Sequence, residues 1–140
     1  MAYFWLNQRE RSRGYSDVEG EVYNYRSNVP GSKKLSAEDR FVYYRPGEYT
    51  IFGGGVVSEI ETEEVTDHDD RPFKEYYAHI RDYHEFDPPI QVRDIKHEIS
   101  FLRNRDGLRG VPQNSIYEIS ADDFRTIVEA AGVNDSLLPQ

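Results

Sequence analysis

The chain has 140 residues, 37% hydrophobic and 14% aromatic, enough apolar material for one ordinary core and hardly for two, so one domain is expected over residues 1–140. It contains no cysteine, which excludes disulfides, thiolate metal sites and cysteine nucleophiles. Its 26 acidic and 17 basic residues give a net charge of -9, which works against simple attraction to phosphate at low salt.

The kind of charge qualifies that exclusion. Only four lysines (Lys33, Lys34, Lys74, Lys96) accompany thirteen arginines, and aspartate recurs in runs such as Asp67-His68-Asp69-Asp70. An acidic, lysine-poor composition suits a halophilic protein kept soluble in concentrated salt, although an ordinary acidic protein fits it too. In molar salt the Debye length is only about 3 Å, and binding would rest on short-range contacts. No apolar run approaches the roughly 20 residues of a membrane span, and no signal-peptide core opens the chain, so a cytoplasmic protein is expected.

Tyr3 to Leu6 is apolar and strand-favouring, and predicts a first strand that enters the polar loop Asn7 to Gly14. Asn28-Val29-Pro30-Gly31-Ser32 reads as a turn. Arg40–Tyr44 and Thr50–Ile60 predict a β-hairpin, with Pro46 and Gly47 at the central positions of a type II turn. Gly53 to Gly55 interrupt the second strand, which marks either a barrel corner or close approach of a ligand.

Glu61 to Arg71 is strongly acidic and is expected to be a solvated, mobile loop. Phe73 to Tyr83 returns to strand-favouring residues, and pairing is expected to end near Tyr83, because Pro88 and Pro89 donate no ladder hydrogen bond. Ile95 to Phe101 fits a short helix or a strand. Ser120 followed by Asp123, with Phe124, Ile127, Val128 and Ala131 at helical spacing and Gly132 beyond, predicts a capped terminal helix. Short β-runs followed by an amphipathic helix indicate an α+β domain on a small, curved sheet or barrel.

Enzyme chemistry finds little support in the residues. Asp67, His68, Asp69 and Asp70 offer hard ligands, but adjacent residues do not converge on one ion without a looping backbone. His79, His84 and His97 lack regularly spaced partners and read as structural or surface histidines. Asp87, Asp94 and Lys96 only loosely resemble a metal-nuclease core, whose strand geometry the intervening prolines would spoil. No catalytic residue, metal site or cofactor is therefore assigned. Aromatic and polar residues lie together elsewhere: Trp5 with Asn7 and Gln8, and Tyr23, Tyr25, Arg26, Ser27 and Asn28. Such groups supply a stacking wall and edge contacts for a base. Trp5 is most simply read as core, Tyr23 and Tyr25 also as sharing one sheet face, and Asn7 and Ser27 also as capping local turns.

The order of these motifs resembles the YTH domain, within the PUA-like superfamily that includes the EVE domain. YTH domains carry a Tyr-Asn-x-Trp-x-Ser-Thr segment, a Gly-Asn turn, a Val-Tyr-Leu-Leu-Phe strand and a Gly-rich strand ending in Gly-Val-Ala-Glu-Met. Here Tyr23 to Asn28, Gly31-Ser32, Phe41 to Arg45 and Gly54 to Ile60 follow that order. Arg71 to Ile80, Asp87 to Ile90, Asn104 to Asp106 with Val111-Pro112, and the final helix run parallel further on. Phe4-Trp5-Leu6-Asn7-Gln8 also resembles the opening of EVE-like readers attached to HNH-type modification-dependent restriction endonucleases.

The resemblance implies a PUA-like, small curved β-barrel flanked by helices, with an aromatic cage for a flipped N6-methyladenine. It implies a noncatalytic specificity module, with a nuclease domain in the same polypeptide or complex. The family's first cage tryptophan matches Tyr25, its serine matches Ser27, and Asn28 replaces its threonine. The second wall falls near the loop before Phe73, where His68, Phe73 or Trp5 stand as alternatives. Arg9, Arg11, Arg13, Lys33 and Lys34 are the implied phosphate contacts. The leading partner is methylated DNA. An RNA reader, a protein-interaction module with a basic partner and a small metal-dependent nuclease are the rival readings.

Overall fold

The computed structural model describes residues 1–8, 20–27, 32, 34–66, 69–108, 111–112 and 116–133. Six strands and two α-helices follow in order: β1 (Tyr3–Asn7), β2 (Val22–Arg26), β3 (Arg40–Arg45), β4 (Thr50–Thr66), β5 (Pro72–Gln91), α1 (Val92–Ile95), β6 (Ile116–Ile119) and α2 (Ala121–Ala131). A 3-10 turn over Lys96–Glu98 continues α1. The strands form one mixed sheet in the order β2-β5-β4-β3-β1-β6, parallel only between β1 and β3.

The sheet divides the apolar residues by alternation. Tyr3 and Trp5 of β1 join Val42, Tyr44 and Ile51 in a core covered by Ile95, Ile99, Phe124, Ile127 and Val128. Phe4 and Leu6 point the other way and meet Tyr23, Tyr25, Phe41, Tyr43 and Ile116. That second cluster unites β2 with β1 and β6, although β2 and β6 are the two ends of the sheet order. The sheet is therefore strongly curled. A closed barrel is not formed among the described residues, since no ladder joins β2 to β6. The Tyr23 hydroxyl, which donates to the Asn7 carbonyl at 3.2 Å, bridges part of that gap.

Curling needs breaks in the ladder. The β4–β5 register shifts between Ile51 and Gly53, between Gly54 and Val56, and between Val57 and Glu59. Such bulges bend a strand and increase its twist. The glycines lie among these bulges, as a corner requires. The close approach at Gly53 is by a side chain of the chain itself: a Cβ there would stand 2.3 Å from the Tyr83 hydroxyl.

The hairpin of β3 and β4 forms as expected, with Gly47 at φ 90°. Its loop closes one residue later than a simple type II turn, through Tyr49 N–H donating to the Arg45 carbonyl at 3.1 Å. The terminal helix is also as expected. Ser120 Oγ accepts from Asp123 N–H at 3.1 Å, and Gly132 ends the helix at φ 70°. The ambiguous segment near Ile95 is helical rather than extended, and Ile95 and Ile99 are buried beneath α2.

Two expectations are corrected. Glu61 to Thr66 is strand, not loop, because β4 pairs with β5 as far as Thr66 and Pro72. Alternation lets its acidic side chains face solvent while the backbone stays in the ladder. Pairing also continues beyond Tyr83, through Glu85, Ile90 and Gln91. Pro88 and Pro89 fall in a stretch, residues 86–89, that has no paired partner on β4, so their missing N–H groups interrupt nothing.

Candidate nucleic-acid interface

The outer end of the β4–β5 hairpin, with the end of β2 beside it, bounds an open cavity of about 550 Å³ lined by Ser27, Glu64, Pro72, Phe73, Lys74 and Tyr76, of which Glu64, Pro72 and Lys74 are exposed. Its volume falls within the usual few hundred to roughly 1,000 Å³ of small-ligand sites. Register explains why these residues meet. Tyr25 is opposite Tyr76, which is opposite Thr62, and in the next row Lys74 is opposite Glu64. Ser27 joins that row through two bonds to Lys74. Its N–H donates to the Lys74 carbonyl at 2.8 Å, and its Oγ accepts from Lys74 N–H at 3.1 Å.

The aromatic wall is a stacked pair. Tyr25 and Tyr76 have ring centroids 5.0 Å apart and planes at 26°. Tyr25 is 1% exposed, so Tyr76 is the member of the pair that reaches the cavity. Burial first, then the neighbouring Tyr76 and Asp39, holds the Tyr25 hydroxyl well above the usual tyrosine range. That hydroxyl finds no hydrogen-bond partner among the described residues. Arg26 lies over the Phe73 ring at 5.2 Å and pairs with Glu75 at 3.2 Å, fixing Phe73 at the rim. Ser32 Oγ donates to the Ser27 carbonyl at 2.9 Å and steadies the end of β2.

The structure thus brings together Tyr25, Arg26, Ser27 and Phe73 of the residues singled out in the sequence. It sends others elsewhere. Trp5 is fully buried on the helix-covered face, 4.8 Å from Tyr44 and 5.7 Å from Phe101 by ring centroids. Asn7 Nδ2 donates to the Pro112 carbonyl at 3.2 Å, and Gln8 is buried, with its N–H donating to the Tyr44 carbonyl at 2.8 Å. Tyr23 is buried beside Tyr25, with centroids 5.8 Å apart. Lys34 is exposed and 3.9 Å from Glu118. Asn28, His68, Arg9, Arg11, Arg13 and Lys33 lie outside the described residues.

Sequence reasoning missed Tyr76, Lys74 and Glu64. The available signal was alternation through Lys74, Tyr76 and Ala78, which places a cation and a ring on one face of a strand. Their partners in β2 and β4 depend on register, which local sequence does not specify.

The opposite face of the same hairpin is acidic. Glu59, Glu61, Glu63 and Glu75 share it with Tyr77 and His79 by strand alternation, and with Arg26, which pairs with Glu75 and lies over the Phe73 ring. The Tyr77 hydroxyl donates to Glu75 at 3.1 Å and Glu63 at 3.3 Å, and His79 Nε2 lies 3.1 Å from Glu61. Glu59, Glu61 and His79 bring ligand atoms within 4.8 Å of one another, all on side chains that are exposed or half-buried.

No family model matches the chain, and no curated protein matches it. Solved structures do. The N-terminal domain of McrB from Staphylothermus marinus superposes with a TM-score of 0.60 at 12% identity, over 91% of this chain and 93% of that one. Rpa0253 from Rhodopseudomonas palustris, solved by NMR, gives a TM-score of 0.57 at 11% identity, over 94% of each chain. At these identities the likeness is one of fold. Among the described residues, no helix is long and apolar enough to cross a membrane.

Proposed function

We propose that the chain is a modified-DNA-binding module, noncatalytic by itself, whose hairpin cavity receives a flipped base, N6-methyladenine. The observation that carries this reading is the joint presence, around one cavity, of an aromatic stack and a row of polar side chains. A flipped base needs a flat apolar face and hydrogen-bonding groups at its edge, and stacking is worth about 1–3 kcal/mol per base. Tyr76, backed by Tyr25, supplies the face, and Phe73 supplies the rim. The fold shared with the N-terminal domain of McrB and the order of YTH-like motifs support the same reading. Those motifs also support a role as the specificity module of a modification-dependent nuclease, with Lys34 and the arginines before β2 on the phosphates.

The test is binding, in high salt, to matched DNA duplexes with and without N6-methyladenine, with 5-methylcytosine DNA and methylated RNA as controls. Preference for methyladenine DNA, lost in Tyr76→Ala with folding retained, is the expected result. Preference for methylated RNA would transfer the reading to RNA. Equal binding or none, whatever the oligonucleotide, would overturn it.

A further inference from the structure

Ser27, Lys74 and Glu64 form a row across β2, β5 and β4, all facing the cavity. Lys74 and Glu64 are direct cross-strand partners of opposite charge, the arrangement that ordinarily gives an ion pair. No ion pair forms between them. Neither their charged groups nor the donor hydrogen of the Ser27 hydroxyl is engaged with another described residue. The row therefore offers the cavity a hydroxyl, an ammonium donor and a carboxylate acceptor.

The row lies two residues along the strands from the Tyr25–Tyr76 row, a separation of about 7 Å at roughly 3.3 Å per residue. A purine stacked on Tyr76 extends its edge toward the neighbouring row, within reach of two long side chains. With its methyl group turned toward N7, N6-methyladenine presents an acceptor at N1 beside the single remaining N6–H donor. The Lys74 ammonium is a donor only and the Glu64 carboxylate an acceptor only, so together they complement that edge. We propose that Lys74 donates to N1 and Glu64 accepts from N6–H, making this pair the element that selects an adenine edge. Ser27 holds the Lys74 backbone in place. This assignment rests on the base-binding reading above.

Glu64 makes the test sharp, because its alternative role predicts the opposite sign. A carboxylate that merely stands near DNA repels phosphate, and its removal strengthens binding to every duplex. A carboxylate that accepts from the base strengthens binding to the methyladenine duplex, and its removal weakens it. Glu64→Ala is expected to lose about tenfold on methyladenine DNA, as a charge-assisted hydrogen bond implies. Lys74→Ala is expected to lose about tenfold as well, and to lose little further on a duplex carrying 1-deaza-N6-methyladenine, which lacks the N1 acceptor. If Lys74 instead contacts phosphate, its loss is equal for both bases and the salt slope falls by about one.

Both side chains are exposed, and circular dichroism is the check that each variant is folded. Wild-type preference for methyladenine, with Glu64→Ala binding all duplexes more tightly or Lys74→Ala losing equally on the deaza base, overturns this edge assignment and leaves the reader intact. Absence of any wild-type preference overturns both.

Discussion

The hydroxyl of Tyr23 in β2 donates to the backbone carbonyl of Asn7 in β1 at 3.2 Å, although β5, β4 and β3 separate the two strands within the sheet. One side chain thus performs across the open side of the sheet what a ladder performs in a closed barrel. Tyr23→Phe removes this bond while keeping the ring among Tyr25 and Tyr43. The expected cost is about 1 kcal/mol, read as a lower urea midpoint at unchanged slope. A variant as stable as the wild type would show that apolar packing alone holds the curl.

Burial holds two phenols neutral to unusually high pH. Tyr44 is pushed up to about 12 by burial and by Tyr49, and Tyr25 is raised further. In the unfolded chain both ionise near pH 10. Their contribution to stability is therefore fully present below pH 10 and declines as pH rises toward 12, where the unfolded state gives up protons that the folded state retains. Urea unfolding between pH 8 and 11.5 should show this decline, and Tyr44→Phe should make it shallower. Tyr25→Phe removes a hydroxyl with no described partner. It should leave stability at neutral pH equal or higher, since a buried unsatisfied group is unfavourable.

The ring of Tyr83 lies between two glycines. A Cβ at Gly20 would stand 2.8 Å from its Cδ2, and one at Gly53 2.7 Å from its Cζ. The ring has no open side along that line. Gly53→Ala should destabilise the protein by about 1–3 kcal/mol, the usual range for overpacking, observed as a lower melting temperature. Tyr83→Ala in the same background should recover part of the loss.

Trp5 and the hairpin cavity belong to different parts of the molecule. Trp5 is fully buried on the helix-covered face of the sheet, and its indole N–H has no acceptor among the described residues. Trp5→Phe should lower stability yet, on the proposed reading, leave binding to methyladenine DNA unchanged. Loss of that binding in a folded variant would place Trp5 in the pocket instead.

Asp123 links α2 to the turn after α1. Its carboxylate accepts from Ser100 N–H at 2.9 Å and from Ser100 Oγ, while its own N–H donates to the Ser120 cap. Asp123→Ala leaves those Ser100 donors unmatched in a half-buried site and should cost about 1–3 kcal/mol by chemical denaturation. Ser120→Ala, which removes the cap alone, should cost about 1 kcal/mol.

These elements differ in how far local sequence reveals them. The β3–β4 hairpin and α2 carry their signals within a few residues: Pro46-Gly47 for the turn, Ser120 and Gly132 for the helix ends. The outer half of β4 carries a misleading one. Glu61, Glu63 and Glu64 read as a solvated loop because charge dominates the composition, whereas pairing with β5 decides the conformation. Of the β2 candidates, Ser27 lines the cavity and Tyr25 backs Tyr76 because alternation puts both on one face, whereas Arg26 between them turns to the other side and pairs with Glu75. Tyr76, Lys74 and Glu64 join them only through strand register, and Trp5 follows the apolar alternation of β1 into the core.

The two faces of the β4–β5 hairpin have unequal charge. Four glutamates against one arginine, Arg26, occupy one side, whereas Lys74 and Glu64 balance each other on the other. A polyanion approaching the hairpin is turned away from the first side and admitted to the second. On the proposed reading, the acidic face is a shield that disfavours approach of a nucleic acid from that side, and it weakens as salt rises. Orientation on the duplex would then be governed by repulsion before any base is touched.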